Sequence, residues 1–152
     1  KYWSYVEPDE QLMNLIKHGN INSSLILPAI KHGSAALLNI ALTLECAEWG
    51  CVRNGRAICA AAAEYGQLEC LKLARHHRCG WASDTCAAAA EGGHLDILKW
   101  LRLSANNCPW DDRVYLRAAF NNHSDVLKWA WDQGCEMPTG IERMHVLNMI
   151  FP

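Results

Sequence analysis

The chain has 152 residues, enough for one domain with a real core. Fourteen lysines and arginines stand against 16 acidic residues, a net charge of −2, so no broad basic face advertises nucleic acid. No run of 18 apolar residues offers a membrane span, and the opening KYWSYVEPDE lacks the apolar core of a secretory signal.

Residues 1–20 read as part of a unit in which Pro8-Asp9 starts a helix and LMNLIKHG forms a second, closing at Gly19. Residues 21–51 give a weak first helix, SSLILPAIKHG, then a longer one from Ser34 to about Trp49. Pro28 interrupts the first, and a proline beyond the first turn costs about 3 kcal/mol, so that helix is expected to begin close to it. Residues 52–82 and 83–110 are the regular units. In the latter, Ser83 or Asp84 is expected to cap a helix CAAAAEG that stops at Gly92-Gly93. A second helix, LDILKWLR, places Leu95, Leu98 and Arg102 on one stripe and turns Asp96 and Lys99 to water. Residues 111–138 are a degraded copy, with Arg117 in place of an alanine, Phe120 in place of Glu91 and Asn121-Asn122 in place of Gly-Gly. Asparagine tolerates the left-handed backbone, so the turn is expected to survive. In residues 139–152, Thr139 is expected to cap a final helix, IERMHVLNMI, that either closes the stack or leads into a further unit. The first residue is not Met and the end is apolar, which suggests a segment of a longer protein.

The units are copies of one another. TCAAAAEGGHLDILKWL, from Thr85, lies over ICAAAAEYGQLECLKLA 27 residues earlier, and part of it over AAFNNHSDVLKWA 29 residues later. Cys51, Cys79, Cys108 and Cys135 keep the same time, at spacings of 28, 29 and 27 residues. Helices of roughly seven to nine residues do not survive alone in water, so each must stack on its neighbours. The alanine tetrads, Ala60 to Ala63 and Ala87 to Ala90, mark the inner helix. Alanine is the best helix former and its methyl lets flanking helices come close. Ala61 and Ala88 are expected to be packed too tightly to accept arginine.

Ala89-Ala90-Glu91-Gly92-Gly93-His94-Leu95-Asp96-Ile97-Leu98-Lys99-Trp100-Leu101 resembles the ankyrin repeat. The likeness recurs with Gln67 for His94 and with Asn122-His123 for Gly93-His94, and runs from about Asp9 to near the C-terminus. The T-P-L-H start of that family is absent, Asp84-Thr85-Cys86-Ala87 standing there instead. The period of 27 to 29 falls short of the family's 33. The shortfall lies after Cys79, so the projecting β-hairpin is expected to be cut to a tight turn or lost. The chain thus resembles the short, Cys/Trp-rich ankyrin variant of large DNA viruses and protists. The resemblance implies an all-α, ankyrin-like helical solenoid forming a single domain over 1–152.

Candidate chemistry is sparse. Eight cysteines include no C-x-x-C, and those on successive units stand about 8–10 Å apart, too far for a disulfide. They read as small, buried, reduced side chains of an intracellular protein, cytoplasmic or nuclear, and of the host cell if viral. His76-His77-x-Cys79 is the nearest thing to a zinc half-site but lacks further ligands. No nucleophile with a base and no phosphate-binding loop is visible, so neither enzyme activity, cofactor nor metal is expected. Trp81 and Trp110 follow Cys79 and Cys108 by two residues. They are read as lids over the helix ends, and alternatively as contacts for a partner.

The resemblance implies a protein–protein interaction module that binds a protein, not nucleic acid or membrane, as a monomer. Ankyrin arrays use a concave face of turns and inner helices. The two variable positions before each turn are here Lys31-His32, Glu64-Tyr65, Glu91-Gly92 and Phe120-Asn121. With Trp81, Trp110, Ser83 and Asp112 they make up the candidate contact surface, while His94 and His123 are expected to bridge turn backbones. The alternatives are a structural spacer that binds nothing and a Cys/His metal or redox sensor.

Overall fold

The computed structural model describes residues 26–49, 55–103 and 106–151, and the backbone alone for 44–49. The unit expected over 1–20, Cys51 and the side chain of Cys46 lie outside the described residues. Within them every regular element is a helix: α1 Ile26–Lys31, α2 Ala35–Trp49, α3 Gly55–Glu64, α4 Leu68–His76, α5 Ser83–Glu91, α6 Leu95–Arg102, α7 Arg113–Phe120, α8 Ser124–Asp132 and α9 Ile141–Ile150. No strand occurs among the described residues, so no hairpin stands between α4 and α5.

The helices form two layers. One runs α1, α3, α5, α7, α9, each in backbone contact with the next. The other holds α2, α4, α6 and α8, each folded back on the helix before it. The backbones of α3 and α5, and of α5 and α7, approach more closely than those of α4 and α6 or α6 and α8. Side-chain size explains the difference. Ala62, Ala63, Ala89 and Ala90 are wholly buried between the first-layer helices, whereas the second layer interposes Leu71, Ile97, Leu98, Leu101, Val126 and Leu127. The expected inner helices are therefore packed where their alanines predicted. Ala61 and Ala88 are a correction, since both are only partly buried and sit at the open side of the layer.

The turns are local consequences of sequence. Gly33, Gly66, Gly93 and Asn122 take φ of 68°, 74°, 71° and 61° after the first helix of each pair, the left-handed conformation that suits glycine and asparagine. Arg78, Asn107 and Gly134 do the same after the second helix. Pro28 falls in the first turn of α1, where no intrahelical N–H is lost. The expected caps are corrected: α5 begins one residue early with Ala82 at its N-cap, and α9 is preceded by Gly140, neither with a side-chain cap. The buried stripe of α6 is Ile97, Leu98 and Leu101, with Leu95 half-buried at its edge and Asp96 and Lys99 in water. Arg102 does not join that stripe.

Adjacent units are pinned through the turns. His94 Nε2 lies 3.0 Å from the Glu64 carbonyl oxygen, and His123 Nε2 lies 3.0 Å from that of Glu91. A carbonyl only accepts, so Nε2 carries the proton in both rings. A Cβ on Gly92 would collide with the His94 ring and the Glu64 carbonyl, which explains why that position carries no side chain.

Candidate functional site

The candidate residues fall into two sets at opposite ends of the first-layer helices. Lys31, His32, Glu64, Tyr65, Glu91, Phe120 and Asn121 stand at the turn leading out of α1, α3, α5 and α7. Trp81, Ser83, Trp110 and Asp112 stand where α5 and α7 begin. A nine-residue helix separates the two sets by about 13 Å. Between them runs a floor of half-buried Ala60, Ala61 and Ala88.

At the turn end, neighbouring units bring candidates together. The Lys31 ammonium sits 5.4 Å from the centroid of the Tyr65 ring. Glu91 is paired with Arg117 at 2.8 Å, one helix over. Phe120 is 86% exposed. With Ile141, also 86% exposed, it borders a groove of about 380 Å³ between α7 and α9. Leu116, Ala119, Glu142, His145 and Val146 complete its lining.

At the other end, Trp81 and Trp110 are half-buried and engaged with their neighbours. Trp81 meets the edge of Trp100 at 5.9 Å between centroids, and Trp110 meets Trp129 at 5.7 Å. The Arg75 guanidinium lies 3.9 Å from the Trp81 ring and that of Arg102 lies 4.5 Å from the Trp110 ring. Arg75 also donates to the Cys79 carbonyl at 2.6 Å, and Arg102 to the Cys108 carbonyl. One arginine thus closes the end of a second helix and stacks on the tryptophan that follows it. That tryptophan in turn rests on a tryptophan of the next unit. This is the arrangement expected of a lid. It spends the face of each indole within the fold, so a partner reaches only the remaining edges.

Ser83 and Asp112 flank a small polar cluster. Arg113 is held by Asp111 at 2.9 Å and donates to Ser83 Oγ at 2.5 Å. The guanidinium holds the Asp111 carboxyl below its usual range. A second, smaller groove of about 110 Å³ opens between α5 and α7, lined by Asp84, Ala87, Ala88, Glu91, Arg113 and Arg117. Sequence reasoning passed over Arg113, Leu116, Ile141 and Glu142, and took Asp84 only for a helix cap. Arg117 was visible only as a substitute for alanine, because Ala61, Ala88 and Arg117 share one register.

The six described cysteines are buried. Burial pushes the Cys59 and Cys135 thiols up to about 12 and that of Cys70 up to about 11. The Cys86 thiol is raised by its hydrogen bond to Cys108 and by burial. Thiols held this far from ionisation are poor nucleophiles and poor ligands. His77 lies 2.8 Å from Asn39 Oδ1 on α2, and its pKa is lowered by burial and by His76. Among the described residues no three His, Cys, Asp or Glu side chains converge as a metal site would require. No described helix is long and apolar enough to cross a membrane. No protein-family model matches the chain, and no curated protein or solved structure proves similar to it.

Proposed function

We propose that the chain is an ankyrin-type repeat array serving as a protein–protein interaction module. Two layers of paired helices, with a left-handed residue at each matching turn and a histidine reaching back to the preceding unit, support the repeat reading. The observation that carries the binding role is the open side of the first layer. It exposes Phe120 and Tyr65 at the rim of a floor of small residues, with charged side chains between them. An exposed phenylalanine beside an apolar groove offers a partner an anchor, which a spacer does not need. In this reading the module binds as a monomer, performs no chemistry and works inside the cell. Cysteines buried as small apolar side chains fit a reducing compartment.

Proximity labelling in cells tests the proposal, with the chain as bait beside a variant carrying Tyr65→Ser, Glu91→Ser and Phe120→Ser. All three positions are at least partly exposed, so the variant is expected to fold. The expected result is a set of proteins labelled by the parent and lost with the variant. Identical sets from both would leave a spacer as the better description.

A further inference from the structure

Aligning the units places their buried cysteines in two registers. Cys59, Cys86 and Tyr115 share one, near the starts of α3, α5 and α7. Cys79, Cys108 and Cys135 share the other, in the loops after α4, α6 and α8. Period keeps residues of one register apart, but the two registers meet inside each unit. The Cys59 sulfur lies 4.0 Å from the Cys79 carbonyl oxygen, and the Tyr115 hydroxyl lies 3.3 Å from that of Cys135. In the middle unit the side chains of Cys86 and Cys108 are hydrogen-bonded to each other. The Cys108 sulfur also stands 3.5 Å from the carbonyl oxygen of Ala82, four residues before Cys86. Neither cysteine has any exposed surface.

Two thiols in contact differ from cysteines that merely pack. Once one sulfur is oxidised, its neighbour is already within reach and captures it before a second equivalent of oxidant arrives. What covers the pair is a single clip. The Arg102 guanidinium stacks on Trp110 and donates to the Cys108 carbonyl, which closes the loop after α6. Cys86 lies within α5, whereas Cys108 lies in that loop two residues before Trp110, so opening the clip uncovers Cys108 first.

We propose that Cys86 and Cys108 form a redox-modification site, which a small uncharged peroxide converts to a disulfide joining α5 to the loop after α6. With the clip open, the Cys108 thiolate attacks one peroxide oxygen. The O–O bond breaks, and the departing hydroxide takes up the thiol proton as water. The Cys86 sulfur then attacks the Cys108 sulfenic acid, the S–O bond breaks, and the hydroxide leaves with the Cys86 proton as a second water. Two thiols thus give up two electrons to the peroxide. A small-molecule dithiol reverses the step by exchange. With the clip shut the pair is sealed, so the site responds to oxidant only as fast as this unit opens. It does not depend on the interaction-module reading.

Treating the folded chain with hydrogen peroxide, then mapping the unreduced digest by mass spectrometry, tests the site. The expected product links Cys86 to Cys108, with fragmentation separating Cys86 from Cys79, and dithiothreitol removes it. Trp110→Leu should speed the linkage about tenfold or more by loosening the clip. Circular dichroism checks that this variant folds, and Arg102→Gln replaces it if it does not. In Cys86→Ala, dimedone, which traps sulfenic acids, should label Cys108. The oxidised chain should melt roughly 5 °C or more above the reduced one, as a closed loop constrains the unfolded state. Cys108 joined chiefly to another cysteine, sulfinic acid at Cys108 without a link to Cys86, no faster linkage in the clip variant, or an unchanged melt would overturn the proposal. The module reading falls separately, on identical proximity sets from the parent and the triple-serine variant.

Discussion

Thr85 is the one buried polar side chain among the described residues, with no exposed surface and no hydrogen bond to its hydroxyl. The repeat explains what it displaces. Ile58 and Val114 hold the same register in the units on either side, and both are buried. Valine has nearly the shape of threonine without the oxygen, so Thr85→Val removes an unmet donor and leaves the packing in place. It should stabilise the chain by about 1 kcal/mol, raising Tm by roughly 2–4 °C in a domain of this size. A thermal melt that fell instead would mean the hydroxyl is satisfied in solution. The neighbouring register, Cys59, Cys86 and Tyr115, shows the opposite solution. Cys59 Sγ reaches the Cys79 carbonyl at 4.0 Å, and the Tyr115 hydroxyl donates to the Cys135 carbonyl at 3.3 Å. Aligning the copies exposes Thr85 as the odd residue, but only the packed structure shows that its hydroxyl is stranded.

At the scale of the helix, the alanine tetrads are legible in the sequence and their individual roles are not. Helix propensity and small volume mark α3 and α5 as close-packing elements. Which of four consecutive alanines points at a neighbour depends on how each helix is rotated in its layer. Ala89 and Ala62 have no exposed surface, whereas Ala88 and Ala61 face the open side. Ala89→Arg forces a long cation between α5 and its neighbours and should cost more than about 3 kcal/mol, enough to abolish a cooperative melt. Ala88→Arg extends into water and should stay within about 1 kcal/mol of the parent. Equal effects on urea unfolding would show that the rotation of α5 is misassigned. The caps were misread because Ser83, Asp84 and Thr139 are common cap residues. The chain enters α5 from extended Ala82 and α9 from left-handed Gly140, and neither backbone offers its side chain to the helix.

At the scale of the molecule, the first-layer helices among the described residues pack within that layer chiefly on their immediate neighbours, so stability is distributed unevenly along the chain. α5 is flanked closely by α3 and α7, while α9 has only Val146 and Ile150 fully buried and leaves Ile141 and Met144 in water. Native-state hydrogen exchange should find the slowest amides in α5 and exchange at least about a hundredfold faster in α9. Uniform protection in both would argue for one cooperative block. The same unevenness leaves the apolar groove at α9, since a loosely seated last helix cannot fill the space that close packing removes between α3, α5 and α7.

Sequence by itself determined the period, the helix pairs and the left-handed turns at Gly33, Gly66, Gly93 and Asn122. These follow from local backbone preference and from spacing that is repeated in the chain. It also placed His94 and His123 at the turns, because their position is tied to those glycines. Only the tertiary structure decided that Glu91 pairs with Arg117, that Arg113 is held by Asp111 and Ser83, that Asp84 Oδ1 has no hydrogen bond among the described residues, and that Phe120 and Ile141 share a groove. Most of those relations join residues 20 to 30 positions apart on different helices. They depend on the rotation and sideways offset of one helix against the next, which the pattern within a single unit does not encode.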